Sequence, residues 1–127
     1  MTILLVGLGG FVGSVTRYLL SRSVQDWAGG HWFPWGTLTV NVIGCLVIGL
    51  LAGLSEHRDL LGPNTRALLF VGLLGGFTTF SAFGNETVGL WRDGHSAQAA
   101  GNVALQLVLG LGAVWVGLRV ARALWET

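Results

Sequence analysis

The chain has 127 residues with seven basic and six acidic side chains, a formal net charge of +1 and a mean hydropathy of +0.67. Such an apolar composition excludes an ordinary water-soluble domain, and the small, unclustered charge excludes an electrostatic face for nucleic acid. All the basic residues are arginine, and the single cysteine, Cys45, has no internal disulfide partner.

Four apolar spans follow in chain order, at about residues 2–20, 36–54, 67–90 and 97–118. Each is near the roughly 20 residues that cross about 30 Å of hydrocarbon, so the chain reads as one all-α, four-helix transmembrane domain over 1–127. The first span has no basic stretch before it and three comparable spans after it, which argues against a cleaved signal peptide. It carries Gly9, Gly13 and Arg17 at steps of four. Charges and helix breakers sit between spans: Arg22, Asp26 and Pro34, then Glu56, Arg58, Asp59, Pro63 and Arg66, then Arg92 and Asp93. Trp27, Trp32, Trp35, Trp91 and Trp125 fall at or near span ends, where aromatic belts form.

With both termini on one side, Arg58, Arg66, Arg119 and Arg122 stand opposite Arg17, Arg22 and Arg92. So weak a positive-inside bias suits a chain that inserts both ways up, although a single orientation set by the termini remains open. Four helices hardly enclose a polar pathway alone, so the small and polar stripes need a partner surface. In the second span that stripe is Thr37, Asn41, Cys45, Gly49 and Gly53, and in the fourth Asn102, Gln106, Gly110, Ala113 and Gly117. Helix packing accounts for the glycines, which let backbones approach closely. Asn41, Asn102 and Gln106 need hydrogen-bond partners in hydrocarbon, across helices or along a pathway.

The third span holds Gly75-Gly76-Phe77-Thr78-Thr79-Phe80-Ser81-Ala82-Phe83-Gly84-Asn85-Glu86. Paired glycines and paired threonines in mid-span predict a broken helix near Gly75–Thr79, tolerable in a membrane only where protein or a cavity receives the backbone. Carbonyls freed there are hard oxygen ligands for a cation. Phe80 and Phe83 share a face beyond the break. Their positive ring edges, with donors from Thr79, Ser81 and Asn41, suit a small anion. Arg17 either attracts anions to a pore mouth or snorkels to the headgroups.

These residues resemble the Fluc family of fluoride channels. Gly9-Gly10-Phe11-Val12-Gly13-Ser14-Val15-Thr16-Arg17-Tyr18 resembles the family's first helix, Gly36 through Gly44 its second-helix motif, and Gly75 through Phe83 with Glu86 its third-helix signature. The resemblance covers essentially the whole chain. It implies an antiparallel homodimer of dual topology in a prokaryotic plasma or inner membrane, passively exporting fluoride. It further implies a structural Na⁺ at the dimer centre, held by the backbone carbonyls of Gly75 and Thr78. By position, Phe80 and Phe83 line the fluoride pathway, Asn41, Thr79 and Ser81 supply donors, Arg17 stands in the vestibule, and Asn102 is a polar fourth-helix position. Ala82, where threonine or serine is usual, removes one hydroxyl, and Cys45 replaces a common serine.

Two rivals differ at identifiable residues. A small multidrug–proton exporter needs a membrane glutamate in the first helix, where this chain has no acid. A non-transporting assembly subunit explains glycines and amides, but not threonines, glycines and phenylalanines concentrated at one break. An enzyme is not expected: His31, His57 and His95 lie outside the spans, and no nucleophile–base or metal-ligand spacing occurs.

Overall fold

The computed structural model describes residues 1–30, 32–57 and 61–126. His31 and the loop charges Arg58 and Asp59 lie outside the described residues. In hydrocarbon a backbone must satisfy its own hydrogen bonds, and the described residues are accordingly helical, with no strand among them. The elements are α1 (Thr2–Trp27), α2 (Trp35–His57), α3 (Pro63–Arg66), a π-helical stretch (Ala67–Leu74), α4 (Gly75–Phe77), α5 (Phe80–Arg92) and α6 (Ser96–Trp125). Together they make four runs long and apolar enough to cross a membrane: Thr2–Trp27, Trp35–Glu56, Pro63–Arg92 and Ser96–Trp125.

The helices overrun the apolar spans, α1 by about two turns and α6 by a similar length. Hydropathy marks the depth of the hydrocarbon, whereas backbone hydrogen bonding continues into the headgroup zone. The extra turn of α1 carries Arg22, which donates to the Tyr18 hydroxyl at 2.9 Å and faces Asp26 at 4.0 Å. At the other end Arg122 faces Glu56 at 4.0 Å. Both ion pairs are exposed and loose, and contribute little to stability.

Hydrogen bonds tie down the described residues of the α1–α2 and α5–α6 connections. Between α1 and α2, the Gln25 side chain donates to the carbonyls of Gly30 and Phe33 and accepts from the Gly36 N–H at 3.1 Å. Trp32, Phe33 and Trp35 pack ring against ring beside it, with centroids 4.5–5.8 Å apart. Trp27, Trp32, Trp35 and Trp91 thus gather at one end of the bundle and Trp125 at the other. Between α5 and α6 a single turn suffices. Gly94 adopts φ +84°, the Gly94 N–H donates to the Trp91 carbonyl at 3.1 Å, and the His95 N–H to that of Leu90 at 2.8 Å. That reciprocal pattern closes α5 and needs the left-handed conformation that glycine adopts without a Cβ penalty.

Packing is close because the glycines are where the helices touch. A Cβ on Gly13 would collide with the Leu73 carbonyl, and one on Gly9 would lie 2.5 Å from that of Leu68. So α1 presses on the π-helical stretch and α4. On the opposite flank α2 runs along α6, where a Cβ on Gly117 would lie 2.5 Å from the Leu46 carbonyl and one on Gly49 would collide with that of Val114. The second half of the third span, α5, packs on α6. One membrane crossing is therefore shared between two partners, and it changes partner at the break.

Candidate functional site

The third span breaks inside the expected stretch, but only at Thr78 and Thr79, with Gly75–Phe77 still helical. Thr78 (φ −84°, ψ 154°) and Thr79 (φ −147°, ψ 112°) are extended between α4 and α5. Gly44 makes room for them, since a Cβ there would collide with the Thr78 side-chain methyl. Two side chains replace the lost helical bonds. Asn41 of α2 reaches Thr79 with both ends of its amide: Oδ1 accepts from the Thr79 N–H at 2.9 Å, and Nδ2 donates to the Thr79 carbonyl at 3.1 Å. Thr79 itself caps α5, its Oγ1 accepting from the Ala82 N–H at 3.1 Å. The hydroxyl of Ser81 lies 3.3 Å from that Oγ1. The Thr78 hydroxyl donates back to the Leu74 carbonyl at 3.0 Å.

These substitutions decide which backbone groups go free. In a continuous helix the Thr79 N–H would bond the Gly75 carbonyl and the Ala82 N–H that of Thr78. Both donors are taken by side chains instead, so the carbonyls expected to hold a cation are the two deprived of their helical partners. Below the break the helical run from Pro63 to Phe77 ends with its negative pole, which favours a cation. Above it α5 begins with its positive pole, which favours an anion. One interruption thus offers oppositely signed surroundings to two kinds of ion.

Phe80 and Phe83 stand on α5 with ring centroids 5.5 Å apart and planes tilted by 56°. Phe80 is 82% exposed and Phe83 half-buried. With Gly75, Thr78, Asn41 and Gln106 they line a mainly apolar groove of about 410 Å³. A wider cleft of about 1190 Å³ opens toward the α1–α2 connection, lined in part by Arg17, Thr37, Ser81, Asn85 and Glu86. Thr79 alone lines both cavities among the described residues. The half-buried Arg17, which lines this cleft, has no ion-pair partner among the described residues.

The structure gathers most of the residues singled out in the sequence, with two differences of role. Asn41 is at the break, but its two N–H groups go to the Thr79 carbonyl and, at 3.2 Å, to Gln106 Oε1, so its amide is committed to protein. Asn102 lines neither cavity. It is fully buried between α6 and α5, donating to the Thr87 hydroxyl at 2.9 Å, which in turn donates to the Phe83 carbonyl at 2.7 Å. Three residues join the site that sequence reasoning left unassigned. Gln106 meets Asn41, and the buried Thr37 hydroxyl donates to Glu86 Oε1 at 2.8 Å inside the cleft. The signal for Gln106 was available: two mid-span amides each need a partner, and each can supply one.

Comparison with known proteins gives the family. A family model described as "CrcB-like protein, Camphor Resistance (CrcB)" matches residues 4–118. A protein of Methylobacillus flagellatus named "Fluoride-specific ion channel FluC" is 48% identical over 120 residues, 94% of this chain and 94% of its own. The protein of the same name from Opitutus terrae is 50% identical over 90% of this chain and 87% of its own. That from Paracoccus denitrificans is 48% identical over 98% of this chain and 97% of its own. A family match across nearly all of the four-helix unit, with relatives this similar over most of their length, makes the chain a member of the CrcB-like family, and those relatives carry the name of the fluoride channels that the sequence resembles.

Proposed function

We propose that this chain forms a fluoride channel that conducts passively across the plasma or inner membrane of a prokaryote and lowers internal fluoride. The observation that carries the reading is the broken third span, whose capped backbone sets Phe80, Phe83, Thr79 and Ser81 between two cavities at membrane depth. The relatives' printed name supports fluoride as the ion. Fluoride enters the cleft beside Arg17, exchanges water for the hydroxyls of Ser81 and Thr79 near the positive end of α5, and passes the ring edges of Phe80 and Phe83. Asn102 anchors α5 rather than touching the ion.

The working unit is an antiparallel homodimer. In support, Gly75, Ser81 and Asn85 are exposed beside Phe80 on one chain, polar groups and bare backbone that lipid cannot satisfy and a second copy can. The Gly75 and Thr78 carbonyls fit a Na⁺ ion, being hard oxygens released from helical bonding. Bound there, such an ion would supply a fixed positive charge to these carbonyl oxygens.

The test is efflux from liposomes containing the purified protein, with fluoride inside one set and chloride inside another. Fluoride escapes and chloride stays, and Phe80→Ile suppresses the fluoride flux. Folded protein that passes no fluoride would sink the proposal and favour drug–proton exchange as the next assay.

A further inference from the structure

We propose that Gln106 is a positioning residue of the channel: it orients the Asn41 amide so that this side chain clamps both backbone groups of Thr79. The inference deepens the fluoride-channel reading and rests on it for its functional consequence, though not for its structural one.

An asparagine can present its amide in either sense, and only one sense fits Thr79. The Thr79 N–H requires Oδ1 and the Thr79 carbonyl requires Nδ2. Rotating the amide by half a turn would set donor against donor and acceptor against acceptor. Gln106 Oε1 biases the choice, because it accepts the second Nδ2 hydrogen at 3.2 Å and would repel Oδ1. Were the glutamine amide reversed, Nε2 would face the Asn41 donor, a clash that keeps Oε1 in place. Gln106 is anchored on α6, the helix that also packs along α2 and α5, so its position reports the arrangement of all three. The chain Gln106–Asn41–Thr79 therefore couples three helices to the single residue that lines both cavities. Gln106 acts on the ion path through Asn41, without a requirement to touch the ion.

A double-mutant cycle with two readouts tests this. Gln106→Met keeps length and removes the acceptor, Gln106→Glu keeps the acceptor, and Asn41→Ala removes the clamp. The first readout is hydrogen exchange at the Thr79 amide in nanodiscs, which needs no ion flux. Gln106→Met accelerates it by about tenfold, the worth of one partly buried hydrogen bond, and Gln106→Glu leaves it protected. The second is the ratio of fluoride to chloride efflux. Gln106→Met lowers that ratio in the parent chain and has no further effect once Asn41→Ala is present. Equal Thr79 protection in the parent and Gln106→Met proteins would overturn the proposal. So would independent, multiplicative losses of selectivity, which would place Gln106 on the ion itself. Absence of flux in every variant including the parent, with the exchange pattern as expected, would leave the clamp standing and overturn the channel reading instead.

Discussion

At the scale of single residues, the break survives because side chains answer the backbone groups it frees. Asn41→Ala strands the N–H of Thr79, and an unmet buried polar group costs about 1–3 kcal/mol. The variant's denaturation midpoint in micelles falls accordingly. Thr79→Ala removes the cap on Ala82 and costs about 1 kcal/mol, whereas Thr79→Ser retains the hydroxyl and stays close to the parent. An unchanged midpoint in Asn41→Ala would mean that the break is held by packing alone. The importance of Asn41 was readable from its depth in the second span. Its partner was not, because backbone groups 38 positions away in sequence become neighbours only after the helices have packed.

At the scale of elements, glycine spacing determines which helices meet. Gly13 lies against the Leu73 carbonyl, so Gly13→Leu forces α1 off the π-helical stretch and destabilises the fold by several kcal/mol (roughly 3, as overpacking in a tight contact does). Gly7→Leu is the control: nothing lies within 4 Å of a Cβ there, and its thermal midpoint stays at or above the parent's, since leucine favours a helix. Equal losses in the two variants would show that the effect is one of span composition rather than contact. The stripes of small residues were visible in the sequence as stripes. That Gly9 and Gly13 face the third span while Gly49 and Gly117 face each other was not, because spacing identifies a face and not its partner. The π-helical stretch Ala67–Leu74 was not anticipated either, as ALLFVGLL has nothing to distinguish it from an α-helical run.

At the scale of the whole molecule, one chain leaves a polar, aromatic break at its surface. Mass measurement in micelles will find two copies, and a stable monomer would remove the support that the exposed Phe80 face lends to the dimer. Topology is checked separately. With Cys45→Ala as background, Glu126→Cys lies beyond α6 and should react with an impermeant reagent from either side of a membrane, one population from each. Labelling from one side alone would restrict the protein to a single orientation. The small difference in arginine count between the two sides is the reason to expect both.

The sequence by itself determined the solvent and the architecture: four apolar runs can only cross a bilayer as helices, because no water is there to satisfy an open backbone. It also determined where the third helix breaks, since Thr79 can cap the next one, although the paired glycines before it stay helical. Only the tertiary structure decided what those pieces do for one another. The committed Asn41 amide, the Thr37–Glu86 hydrogen bond and the retreat of Asn102 into the α5–α6 contact each depend on a pair of side chains from different helices. Such pairs follow from how helices rotate and cross. That is set by close contacts between backbones, and no single span carries the information about its neighbours' faces.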